Sequence, residues 1–343
     1  MTMFAGLDVG NKKTAVCVVD DSGTIVWRGM LDTHPELIAA SLSRFAGVLD
    51  KVGLESGSLS PWLYRSLRGL GFSMVCMDAR ACANAVKDRL VKSDRADAFA
   101  LAEMLRTGWY RSVYVKSVAS HRLKALLGAR DQLVRVKRQM NGQIRGLLKP
   151  FGIRLGSHRG VKRFDAAARA AVREDDLLYV CVDSLLETLA SVESQVARLG
   201  DEVRRITSQN EVCWRLMSVP GVGPITALAF YATIEDIDRF ARMRDIGAYL
   251  GLTPKRYQSG DRDITLGISK RGDTMARHYL YEAANVLLTT VRARSSLKSW
   301  GLAILKRSGP KKARIAVARR LAVILGRMWK DRTHFDAMIP RAA

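Results

Sequence analysis

Four carboxylates in this 343-residue chain have types and surroundings that suit phosphoryl chemistry. Asp8 stands inside FAGLDVG, an apolar stretch with strand spacing. A carboxylate there is costly to desolvate unless it is paired or bound to a metal. Glu55 closes a second apolar run, GVLDKVGLES. Asp94 and Asp97 lie three apart in SDRADAFALAEMLRTG, a spacing that projects both from one helix face. Were the two strands neighbours and the helix laid across them, the four groups would converge. So much negative charge in one place needs hard cations. Two Mg²⁺ ions would balance it and clamp the attacking and leaving oxygens of a phosphoryl transfer. Taken singly, each acid has a plainer reading as a cap or a surface charge, and Asp94 as a helix-dipole residue.

A second set lies in RYQSGDRDITLGISKRG, residues 256–272. It offers three hydroxyls: Tyr257, Ser259 and Ser269. A free serine is a weak nucleophile and needs a base or a metal to activate it. Lys255, Arg256, Lys270 and Arg271 surround these hydroxyls and suit a scissile phosphate. The plain alternative is a turn at Ser259-Gly260.

The elements that must position these residues are readable from periodicity. FAGLDVG, KTAVCVVD and TIVWRGML read as three strands, with DDSG turning between the last two. A helix from about Pro35 to Phe45, a strand ending near Glu55, the helix PWLYRSLRGLG and the short strand SMVCMDA follow. In SDRADAFALAEMLRTG, Ser93 is the expected N-cap and Gly108 the stop. Three strands followed by alternating helices and strands predict a mixed α/β sheet. In a ribonuclease H-like version the first and fourth strands are neighbours, which pairs Asp8 with Glu55. The middle of the chain changes character. Leu123 to Leu148 is apolar at helical spacing. KPFGIRLGSHRG reads as a loop. Val182, Leu185, Leu189, Val192, Val196, Leu199, Val203 and Ile206 then form a heptad seam. The two helices are expected to pair with each other or with a second subunit. WRLMSVPGVGPITALAFYATI reads as a helix-hairpin-helix element in which Gly221 and Gly223 let the backbone approach a phosphate; an αα-corner of the core is the alternative.

Charge points to the partner. Lys and Arg number 56 against 33 acids, for a net charge of +23. The segment 121–173 holds 14 basic and 2 acidic residues, and 291–333 holds 13 and 1. These two stretches account for the entire excess, and such segregation attracts a polyanion. Five scattered cysteines without metal-ligand spacing read as reduced thiols. There is no apolar run long enough for a membrane span and no signal-peptide pattern.

Together GLDVGNKKTAV, LES, KSDRADAFALAEML, SVPGVGPITALAF and GLTPKRYQSGDRDITLGISKRGDTMARHYLYEAA resemble, in order and over nearly the whole chain, the insertion sequence 110 family of transposases, with the Piv-type DNA invertases as relatives. The resemblance implies a RuvC-like (ribonuclease H-like) domain at 1–117 whose Asp8, Glu55, Asp94 and Asp97 hold Mg²⁺. It implies a coiled-coil dimerisation and RNA-binding region at 118–208, and a mainly α transposase domain at 209–343. Ser259 falls at the family's nucleophile. The implied partners are donor and target DNA and a structured guide RNA, the bridge RNA, acting with a homodimer or homotetramer in the cytoplasm of a prokaryote, at the nucleoid. The rivals are a RuvC-like endonuclease using water, a site-specific invertase and a non-catalytic scaffold. The first strand also resembles the phosphate loop of actin-like kinases, but that fold needs a second Asp-Gly-rich turn, which is not found after residue 110.

Overall fold

The computed structural model describes residues 1–85, 93–156, 160–260 and 262–337. The chain divides into two compact units, Met1–Ser117 and Val118–Ala343.

The first unit is a mixed α/β sheet. Its elements are β1 (Met3–Val9), β2 (Lys13–Val19), β3 (Ile25–Asp32), α1 (Pro35–Leu42), β4 (Leu49–Glu55), α2 (Ser60–Gly69), β5 (Met74–Met77), α3 (Ala79–Ala85) and α4 (Asp94–Thr107). The strand order is β3-β2-β1-β4-β5. The first three strands run antiparallel, and β4 and β5 run parallel to β1. Alternation along the strands divides the core in two. Ala5, Leu7, Val16, Val18, Val52 and Leu54 meet Ile38, Leu42, Leu63 and Leu67 on one side. Phe4, Ala15, Cys17 and Val19 meet Ala98, Leu101, Ala102 and Leu105 of α4 on the other. Each fully buried leucine contributes roughly 1.5–3 kcal/mol. Helix α4 starts and stops as its sequence dictates. The Ser93 hydroxyl accepts the Ala96 N–H, and Gly108 ends the helix at φ 70°.

The second unit is helical apart from one hairpin. It contains α5 (Val118–Leu148), α6 (Val161–Ala171), α7 (Asp176–Gln209), α8 (Glu211–Leu216), α9 (Pro224–Ile234), α10 (Asp245–Tyr249), β6 (Pro254–Ser259), β7 (Arg262–Ile268), α11 (Thr274–Thr289) and α12 (Ser296–Lys330), the last broken at Gly309-Pro310. Its main core gathers Leu127, Val203, Leu216, Phe230, Leu280, Leu287, Val317, Leu321 and Leu325. The unit also carries +20 of the net charge. Among the described residues no helix is long and apolar enough to cross a membrane.

Three features take definite form. The heptad seam of α7 finds its partner inside the chain. Val182, Leu186 and Leu189 are buried against Ile144 and Leu148 of α5 and Phe164 and Ala168 of α6, and Val203 is buried in the main core. Helix α6 follows the stretch KPFGIRLGSHRG, in a part of the chain to which the sequence reading assigns no element. Its Arg169 is ion-paired to Asp165 and to Asp183 of α7, which fastens it to the long helix. The stretch around Ser259 is a β-hairpin, with Ser259 opposite Arg262 and Gly260 at φ 53°. That left-handed conformation is what a two-residue hairpin connection requires.

Candidate functional site

The parallel register of β1 on β4 sets Leu7 opposite Leu54. One residue further along each strand stand Asp8 and Glu55, at the same end of neighbouring strands. Both lie toward the carboxyl ends of the parallel pair β1 and β4, the end at which open α/β sheets bind ligands.

Helix α4 is locked over β1 by Gly6. A Cβ added there would lie 2.1 Å from the Ala98 carbonyl oxygen and 2.4 Å from the Ala102 nitrogen. Only the lack of a side chain admits the helix so close. The direction of α4 is fixed by its last turn. Arg106 pairs with Glu103 at 2.8 Å and donates to the Asp21 carbonyl in the β2–β3 turn, at the opposite end of β1 from Asp8. The first turn, with Asp94 and Asp97, therefore points back toward the end where Asp8 and Glu55 stand. Asp8 and Asp97 are half-buried; Glu55 and Asp94 are exposed.

The same end carries a carboxylate that sequence reading passed over. Asp78 follows β5, and its Oδ1 accepts the N–H groups of Arg80 at 3.1 Å and Ala81 at 3.0 Å, capping α3. Its signal was Asp-Ala-Arg directly after a strand, a plain capping pattern. The acidity of this end is felt by the Cys82 thiol, which burial, then the charges of Glu55 and Asp78, push up to about 12. The donor set, four hard oxygen groups, suits a divalent cation. The geometry does not complete a site: among the described residues no three Asp, Glu, His or Cys side chains gather as a metal requires. The four acids share one end of the sheet without closing into a cluster.

In the second unit Ser259 ends β6 and is exposed. Alternation puts it on the hairpin face of Tyr257 and Ile264, while Arg256 and Asp263 occupy the other face. Arg256 makes a two-pronged bond to Asp263, at 2.8 and 2.6 Å. The guanidinium holds the Asp263 carboxyl below its ordinary value. Among the described residues no side chain is hydrogen-bonded to the Ser259 hydroxyl. The base of the hairpin is fixed by backbone against backbone. A Cβ on Gly251 would fall 1.9 Å from the Arg271 oxygen, and one on Gly272 would fall 2.0 Å from the Tyr249 oxygen. Lys270, at φ 54°, donates its N–H to the Gly251 carbonyl at 3.1 Å. Lys255, Lys270 and Arg271 are all exposed around this frame.

The glycines before α9 have separate explanations. Gly221 takes φ 93°, and a Cβ there would lie 2.7 Å from the Ala283 carbonyl oxygen of α11. A neighbouring helix thus fills the space that a side chain at Gly221 would need. Gly223 is exposed, with open space where a side chain would be. It precedes Pro224 at the N-terminus of α9, which has no side-chain cap.

Two family models match the chain. One, described as a transposase and named DEDD_Tnp_IS110, spans residues 5–152 and so takes in Asp8, Glu55, Asp94 and Asp97. The other, "Transposase IS116/IS110/IS902 family", spans 213–299 and takes in the hairpin with Ser259. Among curated relatives, the "Transposase for insertion sequence element IS1111A" of Coxiella burnetii is 32% identical over 93% of this chain and 87% of its own length. The "Transposase for insertion sequence element IS1328" of Yersinia enterocolitica is 28% identical over 80% of this chain and 81% of its own. The "Probable family 20 transposase" of Pseudomonas aeruginosa is 28% identical over 80% and 82%. A mixed α/β unit bearing four acids, followed by a basic helical unit, is thus the frame of an insertion-sequence transposase. The chain belongs to the IS110/IS116/IS902 family.

Proposed function

We propose that this transposase cleaves and rejoins DNA through a phosphoserine on Ser259, with Asp8, Glu55, Asp94 and Asp97 holding two Mg²⁺ ions. The observation that carries the reading is the convergence of direction in the first unit. The β1–β4 register and the Gly6–α4 contact bring four hard donors to one end of the sheet. The strand order β3-β2-β1-β4-β5 supports a ribonuclease H-like, RuvC-like fold for that unit. The bound ions would supply charge stabilisation at the reacting phosphate. The chain's own part is to present the Ser259 hydroxyl on a hairpin whose base is closely packed and to surround it with exposed cations. Lys255, Lys270 and Arg271 suit a phosphate. Arg256 serves it only by leaving Asp263, or by keeping that carboxylate between itself and the substrate. Attack of Ser259 Oγ on phosphorus forms a serine phosphodiester and releases a DNA 3′- or 5′-hydroxyl. The reverse attack rejoins the strand without ATP, because the bond energy is conserved.

The partners follow from charge. The +20 of the second unit suits DNA together with a structured guide RNA, and Gly223 at the α9 N-terminus suits one further phosphate. This supports a helix-hairpin-helix use of that turn. Leu177 and Val180 at the start of α7 are 74% and 62% exposed, apolar surface that a second copy in a homodimer or homotetramer would cover. The setting of this reading is the prokaryotic cytoplasm, at the nucleoid. The test is Asp8→Asn in the full chain. It is expected to abolish Mg²⁺-dependent strand cleavage while a copurifying RNA, identified by sequencing, is retained. Cleavage at the wild-type rate would remove Asp8 from the site, and a preparation free of any discrete RNA would remove the guide.

A further inference from the structure

The start of α7 carries apolar surface that its own unit leaves uncovered. Leu177 and Val180 are 74% and 62% exposed. Helical spacing puts them with Ser184 on one face, with Cys181 at its edge. The opposite face, with Val182, Leu186 and Leu189, is the one buried against α5 and α6. Glu174 and Asp176 stand exposed beside Leu177, and neither is ion-paired among the described residues. Asp175 between them is engaged as the N-cap, accepting the Leu178 N–H. The start of α7 is thus an apolar knob edged with acids. The same unit holds its complement. A groove of about 1130 Å³ runs between the base of the β6–β7 hairpin and α12. Its floor is apolar, built from Leu252, Leu266, Ile315, Val323 and Ile324 with Trp300 at one side. Leu266 is 51% exposed although it is apolar and sits on a strand. At the rim Arg242 is already paired to Asp245, and Arg320 lies over the Trp300 ring. Arg244, Lys312 and Arg319 are exposed, and among the described residues no carboxylate is paired with them.

We propose that this groove receives the start of α7 from a second copy of the chain, in a two-fold pair that seats each copy's Leu177 and Val180 in the other's groove. The proposal rests on the reading above that a second copy covers this apolar surface, and it assigns the place where it does so. The groove's own chain does not supply the knob. An α-helix rises 1.5 Å per residue, so Leu177 stands roughly 39 Å from Val203. Val203 is buried in the main core, to which Leu252 belongs and against which Trp300 and Ile324 pack. The groove therefore borders the core in which α7 ends, and α7 carries its start away from it. Charge complementarity selects the occupant. Glu174 and Asp176 match the exposed cations Arg244, Lys312 and Arg319 in sign. Such pairs at a rim steer the encounter and fix its register, while burial of the knob on the apolar floor supplies the affinity. A nucleic acid would answer the rim cations alone. It would leave Leu177 and Val180 in water, and apolar surface rimmed by polar groups suits a protein contact. Symmetry gives the closure. Knob and groove are different surfaces of one chain, so a single contact repeated head to tail would build an open string of copies. Two such contacts about a two-fold axis close the pair.

The test uses the full chain, freed of nucleic acid by nuclease, with self-association measured by analytical ultracentrifugation. Two charge-reversed chains are made, one with Glu174→Lys and Asp176→Lys, the other with Arg244→Glu and Lys312→Glu. Each alone is expected to self-associate about tenfold or more weakly than wild type. Mixed, they should recover, because the mixed pair contains one wild-type contact and one with its charges exchanged. A separate chain with Leu266→Cys is treated with a short bismaleimide. Peptide mass mapping should find Cys181, the exposed native thiol, joined to the introduced thiol of another copy. The band of dimer mass should disappear when Cys181→Ser is added. Circular dichroism identifies any variant that fails to fold, and the crosslink carries the test should a reversed chain do so. No recovery on mixing, or the same link formed within one chain, would overturn the proposal. A wild-type link from Cys181 to Cys181 would pair the two α7 starts with each other and overturn it as well. Loss of DNA binding by the groove variant with self-association unchanged would give the groove to nucleic acid instead. A wild-type dimer whose charge-reversed forms associate normally sinks this docking alone. A wild-type chain that stays monomeric at every concentration sinks the second-copy reading with it.

Discussion

Gly6→Ala tests the contact that aims the acidic end of α4. The methyl group would arrive 2.1 Å from the Ala98 carbonyl oxygen and 2.4 Å from the Ala102 nitrogen. Both are backbone atoms of one helix, so no side chain can rotate away, and α4 must lift or slide. Small-to-large changes in a packed core cost about 1–3 kcal/mol. Here the displaced surface includes Ala98, Leu101, Ala102 and Leu105, whose partners are Phe4, Ala15, Cys17 and Val19. For a unit of this size each kcal/mol lowers the melting temperature by about 4 °C. A fall of about 4–12 °C in the first unit's transition is therefore expected, measured by calorimetry on the full chain. Because Asp94 and Asp97 ride on the same helix, strand cleavage should fall as well, even at temperatures where the variant stays folded. A melting temperature within 1 °C of wild type would refute the close packing of α4 on β1, and with it the direction assigned to the two aspartates.

Other outcomes follow from the same contacts. Leu189→Ala should cost about 2–5 kcal/mol, because Leu189 is fully buried with Ile144 and Phe164; a variant with the wild-type melting temperature and half the light-scattering mass would instead return the α7 seam to an interface between copies. The Asp263 carboxyl should titrate below 3.8 by NMR and return toward that value in Arg256→Ala, since hydrogen bonding to Arg256 lowers it. The sign is that of a depressed acid: the pair's contribution is present above the unfolded value and lost as pH falls through the folded one. An unshifted midpoint in both proteins would mean that the pair does not form. Brief native alkylation should label Cys181 first, because it is the exposed thiol while Cys17, Cys76, Cys82 and Cys213 are buried; equal labelling of Cys82 on mass mapping would contradict its raised pKa and burial.

Local signals in the sequence carried the first unit far. Ser93 and Gly108 mark the ends of α4 because capping is decided within a turn of the chain. The strands around Asp8 and Glu55 show because their apolar runs are continuous. What was hidden is mostly non-local. A heptad seam states that α7 needs a partner; it does not state that α5 and α6 supply it. The sequence marks Gly221 as a turn glycine but does not say that α11, far along the chain, packs against it. The hairpin was obscured differently. Its apolar residues, Tyr257, Ile264 and Leu266, alternate with Arg, Lys, Asp and Thr in a region exposed on both faces, so no buried face reveals a period of two. The neighbouring of β1 and β4 was readable in kind, but the sequence does not say how closely the carboxylates approach.

The most direct test of the central claim is capture of the reaction intermediate on a suicide DNA substrate, resolved on a denaturing gel and mapped by peptide mass spectrometry. The wild-type chain should form a covalent adduct with the phosphate on Ser259. Ser259→Ala should form none, since no other group stands in the attacking position, while Tyr257→Phe and Ser269→Ala should retain it. Phosphate on Tyr257, an adduct surviving in Ser259→Ala, or cleavage without an adduct in any variant would contradict the account, the last by assigning attack to water.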